Sequence, residues 1–274
     1  MGQEIRRNGL VDPHLIRSIE RCSMNGLPAL KTGEVGGWVL RFSEGYTNRA
    51  NTVNPLELED GLGDTNEIED RLRRCEELYA GVGQPTIFKM TEAIRPENLE
   101  KVLVERGYRP HGPLVNMQTC ELGPGEKGGA ELIPGWGEDE EFRIVKEPQV
   151  SFLWFKAFAR MNSLSISTMN ILSRMLHRIE KMSMFVRIEL FGSSVGCGYA
   201  VLEDGHLGLF DILVDERMRR QGIGELVMHE LMEWGRNVGA NMAYLQVVTD
   251  NEPALTLYRK LGFGTAYQYW YLKK

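Results

Sequence analysis

Residues 208–272 read GLFDILVDERMRRQGIGELVMHELMEWGRNVGANMAYLQVVTDNEPALTLYRKLGFGTAYQYWYL, and the way their patterns alternate decides the fold. Residues 208–214 form an apolar run of strand length. After Arg219-Arg220-Gln221-Gly222-Ile223-Gly224 comes a helical stripe to about residue 238: Val227, Leu231, Trp234 and Val238 recur at spacings of three and four. Residues 242–248 read as the next strand, 252–261 as a helix and 265–272 as a closing strand. On that last strand Tyr267, Tyr269 and Tyr271 share one face and Trp270 takes the other.

Glycines between a buried strand and a helix make either a plain turn or a ligand cradle. In the second case the missing Cβ atoms let the backbone approach an anion, with successive N–H groups and the helix N-terminus facing it. Arg217, Arg219 and Arg220 fit the cradle, since arginines at a helix start oppose the helix dipole unless an anion is present. A charge run there is equally a solvated face.

Upstream, 151–161 and 167–182 read as helices, the second with Leu172, Leu176 and Ile179 on one stripe, and 186–191 with 196–202 as a hairpin about Gly192-Ser193-Ser194. Glycine and proline crowd residues 123–137, a candidate linker. The reading is therefore two domains, 1–124 and 138–274, joined through 125–137. In the first, 13–21 reads as a helix, 37–43 and 46–54 as strands turning at Glu44-Gly45, and 85–91 and 115–122 as further strands. A helix over 66–82 carries Ile68, Leu72, Cys75 and Tyr79 on one stripe, with Glu69 as a capping-box partner of Asn66. Another begins near Leu99 and stops at Gly107. The order helix, Gly83, strand, helix, Arg106-Gly107-Tyr108 echoes helix, Gly239, strand, helix, Leu261-Gly262-Phe263, so the halves read as repeats of one fold. The first half has no arginine and glycine loop: its corresponding join, 57–64, carries Glu57, Glu59, Asp60 and Asp64, which would repel a pyrophosphate. Hairpins early and alternation late predict an α+β or α/β fold, a mixed and mostly antiparallel sheet flanked by helices.

Composition bounds the function. The 274 residues, 42% hydrophobic and 26% charged, lie in the soluble globular band, and a net charge of −6 gives no basic field for nucleic acid. No stretch approaches the length of a membrane span. The N-terminus lacks a signal peptide's apolar run, and Arg6 stands where a myristoylation signal wants Ser or Thr. Cys22, Cys75, Cys120 and Cys197 are scattered, which disfavours zinc and disulfides. A reduced, cytoplasmic protein without a metal is expected.

Asn251-Glu252-Pro253-Ala254-Leu255-Thr256-Leu257-Tyr258-Arg259-Lys260-Leu261-Gly262-Phe263 resembles the signature N-x-x-A-x-x-L-Y-x-x-x-G-F of the GCN5-related N-acetyltransferase (GNAT) family, and the loop resembles that family's Q/R-x-x-G-x-G/A motif. The close match covers about 196–272. The whole chain looks like the tandem members, with a degenerate N-terminal copy. The resemblance implies an acetyl-CoA site between two splayed parallel strands: main chain at Leu213 and Val214 pairing with the pantetheine arm, and amides of Arg220, Gln221, Gly222, Ile223 and Gly224, beside Arg219, holding the pyrophosphate. Asn251 would reach the cofactor arm.

Tyr258 becomes the candidate general acid. A phenol of pKa about 10 stays protonated at neutral pH and can protonate a departing thiolate whose thiol has a pKa near ~8.5. The acceptor amine must lose a proton before it attacks, and Asp211 is the first candidate base, ahead of Glu203 and His206. The cluster Trp154, Phe155, Phe158, Met161, Met169 and Met175 is either an acceptor groove wall or core. The polar run Tyr46, Thr47, Arg49, Asn51 and Asn54 is either an acceptor contact or a turn network. The expected activity is acetyl transfer from acetyl-CoA to a small-molecule or peptide amine by direct attack, and the rival is a non-catalytic acyl-CoA-binding module. The acceptor, the acyl chain and the oligomeric state are not legible.

Overall fold

Asp12 opens the first long helix by accepting a hydrogen bond from the His14 amide at 2.9 Å, with Pro13 in the first turn, where its missing N–H costs nothing. The computed structural model describes residues 6–7, 10–56, 65–94, 96–123 and 142–274. In chain order the elements are β1 (Arg6–Arg7), β2 (Leu10–Val11), α1 (Pro13–Gly26), β3 (Lys31–Val35), β4 (Trp38–Phe42), a 3₁₀ turn (Asn48–Ala50), β5 (Val53–Asn54), α2 (Thr65–Ala80), β6 (Ile87–Thr91), α3 (Leu99–Glu105), β7 (Arg109–Pro110) and β8 (Val115–Glu121). Then follow β9 (Phe142–Glu147), α4 (Phe152–Met161), α5 (Ile166–Leu176), β10 (Met182–Leu190), β11 (Ser193–Glu203), β12 (His206–Val214), a 3₁₀ turn (Glu216–Met218), α6 (Ile223–Asn237), β13 (Met242–Val248), α7 (Glu252–Lys260) and β14 (Gly264–Lys273).

The chain forms two compact units. The first is Met1–Gln118 with Gln246–Thr256 and Thr265–Lys274, the second Thr119–Leu245 with Leu257–Gly264. Residues 265–274 group with the N-terminal half, where β14 pairs antiparallel with β6, from Tyr269↔Thr91 to Lys273↔Ile87. The expected linker, 125–137, and the acidic join, 57–64, lie outside the described residues.

In the first unit β3 and β4 form a hairpin across Gly36 and Gly37, both at positive φ, as a tight two-residue turn demands. The sequence reading put the turn at Glu44-Gly45 and made a strand of 46–54; instead the polar run folds on itself. Asn51 Oδ1 accepts from the amides of Ser43 (2.7 Å) and Gly45 (3.1 Å), and its Nδ2 donates to the Thr47 carbonyl at 2.8 Å. Short side-chain-to-backbone bonds outcompete a ladder there. β5 pairs antiparallel with β4 and parallel with β6. The α2 stripe Ile68, Leu72, Cys75 and Tyr79 is buried with Trp38, Phe88 and Tyr108, and Gly107 at φ +102 follows α3.

In the second unit β9, β10, β11 and β12 are antiparallel neighbours and β13 joins β12 in parallel, so the fold is the mixed, mostly antiparallel sheet with helices that the sequence predicts. Ser151 caps α4 by accepting from the Trp154 amide at 3.1 Å, and Trp154 Nε1 donates to the carbonyls of Val186 (3.0 Å) and Gly198 (3.1 Å). Trp154, Phe158 and Met175 are core. The helix expected over 167–182 ends at Leu176, because Met182 already starts β10, which is paired on both edges.

Candidate active site

The site begins with an irregular strand. Between the pairs Cys197↔Leu213 and Tyr199↔Phe210, β12 holds one residue more than β11, and Asp211 sits in this bulge at φ +50. A bulge re-aims the chain. The parallel ladder with β13 runs from His206↔Met242 to Leu209↔Leu245 and ends there, while Leu213 and Val214 continue beside Cys197 and Gly196 of β11.

Past β12, Asp215 holds the turn, its Oδ1 accepting from the Arg217 amide at 3.2 Å. Its carboxyl is itself gripped by Arg160 at 2.7 Å, which holds its pKa below the ordinary aspartate value. Arg219 is extended, Arg220 turns at φ +62 and Gly222 at φ +81, and α6 begins at Ile223. Arg219, Arg220 and Gln221 are exposed. Gly222 brings no side chain to cap α6, so the amides of the first turn point outward without a side-chain acceptor. That donor array, with the helix dipole and two exposed arginines, is the electrostatic form of a phosphate cradle.

The helix is seated by glycines whose role the sequence reading missed. A Cβ on Gly196 would stand 2.5 Å from Ile223 Cγ2, and one on Gly198 would stand 2.5 Å from Ile212 Cδ1 and 2.9 Å from Val227 Cγ1. Gly224 lies close enough to Leu257 of α7 that its Cβ would meet Cδ2 at 3.5 Å, so the helix of Tyr258 is packed beside the loop. Tyr258 is 9% exposed, and its ring lies 6.1 Å from that of Phe263. Burial pushes its pKa up to about 12, so the hydroxyl keeps its proton, and among the described residues it makes no hydrogen bond.

The remaining expected residues are placed differently. Asn251 precedes α7 and spends its Oδ1 on the Ala254 amide at 3.3 Å, a capping role. Glu203 pairs with Lys181 at 2.7 Å, and His206 has a buried Nδ1 without a partner among the described residues. Asp211 is half-buried and adds to the burial that raises the Cys197 thiol pKa. All four cysteines are free thiols. Among the described residues there is no metal-binding group of three His, Cys, Asp or Glu, and no helix is long and apolar enough to cross a membrane.

Comparison with known proteins follows the same line. Residues 153–263 match the acetyltransferase (GNAT) family model, and residues 14–113 match the model described as probable histone acetyltransferase Rv0428c C-terminal. The chain is 27% identical over 258 residues to an uncharacterized N-acetyltransferase, YobR, of Bacillus subtilis, covering 93% of this chain and 97% of the relative. Among solved structures, a GCN5-related N-acetyltransferase from Kribbella flavida superposes with a TM-score of 0.66 at 18% identity, covering 94% of this chain and 95% of its own. A tandem GNAT protein from the clavulanic acid biosynthesis pathway superposes with a TM-score of 0.68 at 12% identity, covering 100% of this chain and 90% of that one.

Proposed function

We propose that this chain, a member of the GNAT acetyltransferase family and so an acyltransferase, moves the acetyl group of acetyl-CoA to a primary amine by direct attack. One observation carries the proposal: an uncapped α6 N-terminus with Arg220 and Gly222 at positive φ, packed beside the helix that bears a buried, protonated Tyr258. The cradle fits a pyrophosphate in sign and in shape, since its donors are main-chain amides and a glycine keeps the approach open.

Bound acetyl-CoA supplies an acetyl group activated as a thioester. In this reading the amides from Arg220 to Gly224 hold its diphosphate, and the main chain at Leu213 and Val214 is offered to its pantetheine arm. Asp211 receives the proton that the acceptor ammonium sheds, because only the neutral amine has a lone pair for attack. As the new C–N bond forms and the C–S bond breaks, the attacking nitrogen sheds its second proton to solvent, while Tyr258 passes its Oη proton to the leaving sulfur and recovers one from solvent. Positioning and fixed dipoles supply most of the acceleration.

The acceptor is a small-molecule or peptide amine. A CoA-release assay across a panel of amines tests the reading, together with calorimetric titration of acetyl-CoA, for which one molecule per chain is expected. Release with no amine above background, alongside tight acetyl-CoA binding, would favour a non-catalytic binding module. Absence of binding would remove the proposal altogether.

A further inference from the structure

A cleft of about 510 Å³ lies within the second unit between α4, the β10–β11 turn and the turn after β12, and its lining stops at Met218, short of the loop 219–224. We propose that this cleft is a second ligand site, which takes a compact dianion: a phosphate monoester or a pair of carboxylates.

The charges around it do not cancel. Arg187 is paired with Glu189, and Arg160 with Asp215 at 2.7 Å, so both carboxylates of the lining are already engaged. Lys156 and Arg217 remain; their side chains are exposed and form no ion pair among the described residues. The lining thus carries two positive charges in excess, in a concave surface that focuses their field.

Arg187 is the most buried charge of the lining. It is 3% exposed, and its Nη1 faces Glu189 and, at 3.4 Å, Ser194 Oγ, yet its Nε is buried with no hydrogen-bond partner among the described residues. The cleft volume falls in the range of small-molecule sites, roughly 300–1,000 Å³. Size and excess charge therefore describe one occupant, small, oxygen-rich and doubly negative. The inference is separable from the acyl-CoA reading: no residue of the loop 219–224 takes part, and of the two excess charges only Arg217 was also read with the cradle, whereas Lys156 on α4 was not.

Isothermal titration of the full chain with phosphoserine and, separately, with succinate tests it. Each titration is run with and without saturating CoA, so that anion binding at the α6 N-terminus is told apart from binding in the cleft. The expected result is saturable 1:1 binding of at least one probe in the presence of CoA, weakened tenfold or more by Lys156→Glu and by Arg217→Glu. A preference for phosphoserine or for succinate identifies the phosphate or the dicarboxylate source. The proposal is overturned if neither probe binds, if CoA abolishes binding, or if both variants, with unchanged melting, bind as the parent does. Should the chain fail to bind CoA, the titrations without it still read the cleft through the same two variants.

Discussion

Replacing Tyr258 by Phe removes one oxygen from a side chain whose packing is otherwise kept. The ring is 9% exposed and rests against Phe263, and its hydroxyl forms no hydrogen bond among the described residues. Tyr258→Phe should therefore change folding stability by less than about 1 kcal/mol. Acetyl-CoA affinity should move less than about threefold, because the proposed cradle is main chain. Turnover is another matter. A positioned general acid contributes about 10²–10⁴ in rate, and at about 1.36 kcal/mol per tenfold this raises the barrier by roughly 2.7–5.5 kcal/mol. The pKa of about 12 sets the pH signature: the phenol stays protonated from neutral pH to about 11, so the acid function itself brings no basic fall in kcat below that range. The assay is continuous thiol detection of released CoA over pH 6–10, with calorimetry for affinity. Unchanged kcat in a variant whose chemical step is shown to limit the rate would refute the role of Tyr258.

Gly222→Val forces a β-branched residue to φ +81, a strain of about 1–2 kcal/mol, and should abolish the roughly 2.7 kcal/mol of thermal stabilisation that acetyl-CoA gives at 100 times its Kd, while the apo protein still melts cooperatively. Gly198→Ala places a Cβ 2.5 Å from Ile212 Cδ1 and should cost about 1–3 kcal/mol in urea unfolding, with weaker acetyl-CoA binding because α6 must shift. Glu76 tests the first unit: burial alone would raise its pKa, but hydrogen bonds from Arg106 and Lys274 outweigh that and bring it to about 2. A carboxylate depressed in the folded state stabilises above its unfolded pKa of about 4.5 and loses that contribution as pH falls through about 2. Arg106→Ala should therefore unfold more easily than the parent at pH 7, by up to about 3 kcal/mol, and the gap should close on acidification towards pH 2.

The parts of the fold that the sequence predicts well are those written in local periodicity. The α6 stripe, the exact extent of β13 at residues 242–248 and the α2 face Ile68, Leu72, Cys75 and Tyr79 follow from spacing alone, as does the glycine that ends α3. The parts that escape it depend on partners distant in sequence or on atoms rather than patterns. Residues 46–54 read as a strand, yet Asn51 satisfies three backbone groups and closes a turn. β3 is almost wholly exposed and carries no apolar alternation to find. At the candidate site the loop and Tyr258 are legible because glycine spacing and the helix motif are local. The bulge at Asp211 and the Arg160–Asp215 contact are not, since one needs the register with β11 and the other joins residues 55 apart. Gly196 and Gly198 did carry a signal: two glycines in an otherwise apolar strand point to a close neighbour on that face.

The pairing of residues 269–273 with residues 87–91 sets a timetable for synthesis. When β6 leaves the ribosome, one of its strand neighbours has not yet been translated. At about 5–20 residues per second, it arrives only some ten to forty seconds later. Through that interval an edge of the nascent N-terminal sheet, buried side chains included, is open to other strands. A premature stop between codons 265 and 269 would spare every residue of the loop 219–224 and still leave that edge open for good. Loss of activity from such a truncation would be a failure of assembly rather than of chemistry, and it would show as aggregation during expression, before any substrate is added.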